Sequence, residues 1–159
     1  MTHLCYYDEL FEAAARKSAI VDPIEDLLGP NIKLYCDQLM MKSRFNGTVT
    51  DWHQDSVAWP QFAPQDHVSC WVALDDATLD NGALHMVPGS HKHAHPVPPP
   101  QGHAADGGAY FREQLEGLYD ISTAEVLEMK AGSAVFHPVS YTHLRAHETL
   151  RYRGSRLVG

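Results

Sequence analysis

Trp52-His53-Gln54-Asp55 decides how the rest of this chain is read. On a strand, residues two apart point to the same face, so His53 and Asp55 offer an imidazole and a carboxylate to one point in space. Those are two of the three ligands in the two-His, one-carboxylate set that holds non-haem Fe(II) and leaves positions open. Taken alone, the tripeptide reads better as a solvated strand end, so the segments on either side have to decide.

Upstream, residues 8–28 read as helical. Glu9 to Ala15 is a helix-favouring run, Asp22-Pro23 pairs an N-cap residue with proline at a first helical position, and Gly29-Pro30 ends the second helix. Ile32, Leu34, Cys36 and Gln38 then alternate with Asn31, Lys33, Tyr35 and Asp37 as in a strand. Downstream, Val68 to Leu74 and Ala83 to Val87 are strand candidates. Val126 to Met129 and Ser133 to His137 read as a hairpin about Lys130-Ala131-Gly132. Residues 88–109, rich in proline and glycine, read as loop, and 110–118 as a short helix. Short helices and then several short strands predict an antiparallel β sandwich or barrel.

Composition narrows the function. The 159 residues are 44% hydrophobic and 20% charged, which suits one domain with its own core rather than a disordered chain. No apolar run approaches the ~20 residues of a membrane helix, and no signal-peptide pattern is present. Twenty acids against 12 bases, a formal charge of −8, argue against a grip on nucleic-acid phosphates. Cys5, Cys36 and Cys70 are odd in number and widely spaced, which fits a reducing cytoplasm better than a disulfide framework. Eleven histidines are the unusual feature, and they raise the question of a metal.

Four segments in order carry a resemblance. They are Gln38-Leu-Met-Met-Lys42, the His53-Gln-Asp55 box, Trp71 sixteen residues after Asp55, and Asn81-Gly-Ala-Leu-His-Met-Val-Pro-Gly-Ser-His-Lys92. Together they resemble the phytanoyl-CoA dioxygenase family of Fe(II)/2-oxoglutarate oxygenases, from about Pro23 to Pro138. The resemblance implies a mainly β fold, a double-stranded β-helix or cupin-like jelly roll with short N-terminal helices, incomplete at both ends. It implies a dioxygenase that uses Fe(II), O2 and 2-oxoglutarate to hydroxylate a small organic molecule, with succinate and CO2 as co-products. By the same resemblance His53 and Asp55 are iron ligands, and Gln38, Gln54 and Trp71 contact the co-substrate. Lys42 lies where many relatives carry a lysine before a loop, and is carried as a further co-substrate candidate. Related halogenases leave the carboxylate position vacant, so Asp55 implies hydroxylation. Substrate contacts are expected from loops 56–67 and 88–109. Without the resemblance, Trp71 reads as a core aromatic, Gln38 as a satisfied strand-end residue and Lys42 as a solvated lysine.

The family also needs a late iron-binding His and, beyond it, an Arg for the far carboxylate of 2-oxoglutarate, a bidentate role that suits guanidinium. In relatives with a pair like His137-Pro138, that His falls five residues after the first, which here is Thr142. His143 stands one residue late. On a regular strand a one-residue slip turns a side chain to the other face, so His143 serves as third ligand only if the strand bulges. His137 reads as a structural neighbour rather than a ligand. Val139 to Thr149 reads as a translation of sequencing-adapter DNA. Residues 1–138 are therefore expected to be a partial oxygenase domain and 139–159 a non-native tail. Arg145, Arg151 and Arg153 are then poor candidates for the co-substrate arginine, and the chain itself is expected to be inactive for want of the distal His and Arg. Two other readings remain open: a non-catalytic cupin-like metal- or small-molecule-binding module, and a Zn or Mn cupin using the alternating run His91, His93 and His95.

Overall fold

The structure, a computed structural model, describes residues 2–41, 50–58, 66–92 and 107–145. Lys42, His93, His95, Arg151 and Arg153 lie outside the described residues. Among those described are α1 (Glu9–Ala15), α2 (Ser18–Leu28) and α3 (Gly107–Leu118). The strands are β1 (Thr50–His53), β2 (Val68–Val72), β3 (Leu84–Met86), β4 (Glu125–Leu127), β5 (Ala134–Pro138) and β6 (His143–Arg145). One sheet has the order β1-β6-β3-β4, and β2 pairs with β5 in a second. All the ladders are antiparallel. Between successive strands the chain changes sheet at each step except β3 to β4, as a jelly roll does. The expected mainly β, cupin-like architecture is the one observed.

Four local expectations are corrected. The hairpin about Lys130-Ala131-Gly132 does not form: β4 pairs with β3 and β5 with β2, so the turn carries the chain from one sheet to the other. Gly132 supplies the φ of +84° which that turn needs. The second helix starts at Ser18 rather than at Asp22-Pro23, and Pro23 lies inside it. The alternating run from Ile32 finds no ladder partner. Among the described residues it has one bridge, Thr2 to Gln38, and Asp37 also accepts from the His3, Leu4 and Cys5 N–H groups, but an extended segment becomes a strand only when a neighbour pairs with it along a ladder. Asp55 lies beyond the end of β1 and opens a 3-10 turn, Asp55–Ala58. Beyond Pro138, the expected domain end, β6 is an interior strand of the larger sheet and Val139 is buried.

The core sits where α3 crosses β1. Trp52 packs there with Val87, Leu115 and Tyr119, flanked by Ile121, Ala124 and Leu144. Period-two alternation sends Trp52 and Gln54 to this side of β1 and His53 to the other. The helices α1 and α2 have no buried residue, and Tyr6, Tyr7, Leu10 and Leu27 are exposed. Among the described residues no helix is long and apolar enough to cross a membrane.

Leu115 has no exposed surface. Leu115→Ala is expected to cost about 3 kcal/mol through lost burial and a residual cavity. Urea unfolding monitored by tryptophan fluorescence checks this, and a cost within error of zero would mean α3 does not seal the core.

Candidate metal centre

The ligand-bearing residues come from three places in the fold. His53 ends β1, Asp55 opens the turn after it, and His143 begins β6, directly across from His53. One ligand atom from each lies within 4.8 Å of the others. Asp55 Oδ1 is 3.5 Å from His53 Nε2 and 3.8 Å from His143 Nε2. The two rings are 4.3 Å apart, centroid to centroid.

The expectation that His143 faces away is corrected, and the reason is a local irregularity. Thr50 pairs with Arg145 and His53 with His143, so three steps along β1 match two along β6. The extra residue shifts the register, and His143 arrives where a regular ladder would bring Thr142. Thr142 instead is fully buried, with its hydroxyl accepting from Gln54 Nε2 at 2.9 Å.

Backbone carbonyls orient both imidazoles. His53 Nδ1 lies 2.7 Å from the Asp51 carbonyl, and His143 Nδ1 lies 3.0 Å from the Tyr141 carbonyl. Each contact holds the ring proton on Nδ1 and leaves the Nε2 lone pair facing Asp55. Ser69 Oγ donates to Asp55 Oδ2 at 2.8 Å and fixes the carboxylate from the second sheet. Sequence reading missed Ser69, although the signal was available: it lies two residues before Trp71 on β2, so the two share a face. His137 is directly across from Ser69 on β5, and its ring is 5.0 Å from that of His143. The centre therefore lies between the two sheets.

Gln54 is buried, donating to the Tyr119 hydroxyl as well as to Thr142 on the Trp52 side of β1. Gln38 is exposed at its bridge with Thr2. His91 stacks on Tyr141 at 5.1 Å and is not part of the donor set.

The electrostatics follow from one acid between two bases. Burial alone would raise the Asp55 carboxyl, but the His53 contact, the field of both histidines and the Ser69 hydroxyl outweigh it and hold it at about 2. Burial works to lower His53 too, yet its contacts with Asp55 and the Asp51 carbonyl raise it above the ordinary histidine value. For His143, burial and then repulsion by His53 win, and its pKa falls to about 4. Burial likewise lowers His137. At neutral pH the cluster offers an ionised carboxylate and a neutral His143, and His53 holds a proton more readily than an ordinary histidine, a proton that a metal has to displace wherever it is bound.

Two imidazole nitrogens and one carboxylate oxygen facing a gap between sheets fit a divalent transition metal, and with this donor set, non-haem Fe(II). Fold and site together define a cupin-like protein of the two-His, one-carboxylate class. The chain belongs to the phytanoyl-CoA dioxygenase (PhyH) family, whose sequence profile it matches over residues 2–148. It is 34% identical over 145 residues to a probable phytanoyl-CoA dioxygenase of Caenorhabditis elegans, covering 84% of this chain and 45% of that protein. It is 35% identical over 92 residues to an L-proline trans-4-hydroxylase of Streptomyces griseoviridis, covering 55% of this chain and 34% of that protein. The crystal structure of EctD from S. alaskensis with 2-oxoglutarate and 5-hydroxyectoine shares the fold, with a TM-score of 0.70 at 21% identity, over 91% of this chain and 49% of that one. The chain spans about a third to a half of the length of these curated relatives.

Metal affinity is expected to fall as pH is lowered through the range in which His53, held above the ordinary histidine value, takes up a proton that the metal must displace. His143 should add a second proton only near pH 4. Calorimetric metal titrations in buffers of different ionisation enthalpy count those protons, and an affinity independent of pH across this range would refute the ligand assignment.

Proposed function

We propose that the protein to which this chain belongs is an Fe(II)- and 2-oxoglutarate-dependent dioxygenase that hydroxylates a small organic molecule. The observation that carries this reading is the convergence of His53, Asp55 and His143. Membership of the family and the likeness to an L-proline hydroxylase support it.

His53 and His143 would hold the iron through Nε2, and Asp55 through a carboxylate oxygen. Iron bound there supplies the redox chemistry in which O2 oxidises 2-oxoglutarate to succinate and CO2 and hydroxylates a substrate C–H bond. The chain's own groups do the arranging. The Asp51 and Tyr141 carbonyls keep both rings in the ligating tautomer, and Ser69 occupies Oδ2 of Asp55 while Oδ1 faces the histidines. Trp71, on the same face as Ser69, is the best supported of the co-substrate contacts; Gln38 and Lys42 remain candidates by resemblance alone. A carboxylate at position 55 favours hydroxylation over halogenation. Three free thiols, Cys5, Cys36 and Cys70, suit a reducing compartment such as the cytoplasm.

We also infer that the 159-residue chain turns over poorly by itself. By the resemblance, the arginine for the far carboxylate of 2-oxoglutarate follows the late His, and Arg145, Arg151 and Arg153 are poor candidates for it.

In a protein of the relatives' full length, His53→Ala and Asp55→Ala are each expected to reduce Fe(II)-dependent succinate formation to background. Wild-type turnover in either variant would sink the assignment. Metal binding with no succinate from the unsubstituted protein would leave a binding module in its place.

A further inference from the structure

Behind the ligands lies a second cluster, polar and buried. Gln54, Ser90 and Thr142 are at most 1% exposed, and Tyr119 is 8% exposed. Gln54 Nε2 donates to Thr142 Oγ1 at 2.9 Å and to the Tyr119 hydroxyl at 3.3 Å. The Thr142 N–H donates to Ser90 Oγ at 2.9 Å, and its carbonyl accepts from the Val87 N–H at 3.0 Å. The two central members are chain neighbours of the ligands. Gln54 stands between His53 and Asp55, and Thr142 immediately precedes His143.

The backbone does not fix this part of the site well. The β1–β6 ladder is irregular where the ligands sit, with its register shifting between Thr50 and His53. A slip of one residue would exchange His143 for Thr142 at the centre. The bond from Gln54 to Thr142 spans 88 residues of sequence and ties the two ligand-bearing segments together on the side away from the metal. A buried amide and hydroxyl are costly to leave unpaired, so the bond penalises the slipped register directly.

We propose that the Gln54–Thr142 hydrogen bond is a positioning clasp for the metal centre: it keeps His143 turned toward His53 and Asp55, and Tyr119 and Ser90 hold its two ends. The proposal rests on the reading of those three residues as metal ligands. Gln54 then acts through its neighbours and needs no contact with metal or co-substrate.

The test is a cobalt(II) titration of the chain, read by affinity and by the visible absorption of the saturated protein, with urea unfolding of each metal-free variant alongside. Thr142→Val removes the acceptor and Gln54→Met the donor. Each is expected to weaken cobalt binding about ten-fold or more and to change the spectrum at saturation. Thr142→Ser, which keeps the hydroxyl, should restore both. If Thr142→Val does not unfold cooperatively, Tyr119→Phe and Gln54→Met carry the test. A lower urea midpoint with an unchanged spectrum and affinity would show a merely structural role and overturn the clasp. So would a Thr142→Ser variant that behaves like Thr142→Val. A wild-type chain that binds no cobalt, or a His53→Ala chain that binds it equally well, would overturn the metal reading and the clasp with it.

Discussion

A single extra residue on β1 against β6 governs which side chains meet between the sheets. Without it, His53 and Thr142 would share the interior and His143 would turn to the core under α3. With it, two imidazoles and a carboxylate face one gap, and the residues next to them, Gln54 and Thr142, are driven into the core, where they bond to each other. Bulges bend and re-aim strands in this way, and they recur beside active sites. The second sheet completes the arrangement from the other side. Ser69 reaches Asp55 from β2, and His137 lies across from Ser69 on β5.

Three titratable groups so close together cannot all keep their ordinary affinities for protons. The carboxylate stays ionised because both neighbours favour its charge, and of the two histidines only one can profit from it. His53 does so, with Asp55 and the Asp51 carbonyl at hand, and the more deeply enclosed His143 is left neutral. This split is what a divalent metal needs. One imidazole is ready to ligate, one exchanges its proton on binding, and the anion stays anionic far below neutral pH.

Much of the fold was legible in the sequence where a local pattern and its tertiary partner agree. Val68 to Leu74 and Ala83 to Val87 read as strands and find ladders, and His53 with Asp55 announces a ligand pair. What stayed hidden depends on pairing. The extended run from Ile32 looks like a strand but, among the described residues, joins no ladder and is tied to the N-terminal segment by the Thr2–Gln38 bridge and by Asp37. The turn at Lys130 to Gly132 looks like a hairpin, yet each arm pairs in a different sheet. His143 could not be assigned, because its facing is set by a register shift on another strand and no pattern in its own neighbourhood encodes that. The bonding of Gln54 stayed hidden for a related reason. Between two ligands it looks like part of the site, whereas alternation along β1 sends it to the opposite side, beside Trp52.

The centre joins an early strand to a late one, and that gives it a mechanical meaning as well as a chemical one. A metal held by His53, Asp55 and His143 closes a long loop of chain and links two strands whose own ladder is short and irregular. Because the unfolded chain holds no such site, loading and folding share one equilibrium, and at 100 times the dissociation constant the ion would add about 2.7 kcal/mol to stability. The cofactor would then act as a reversible rivet, tightening the sheet where its backbone is weakest.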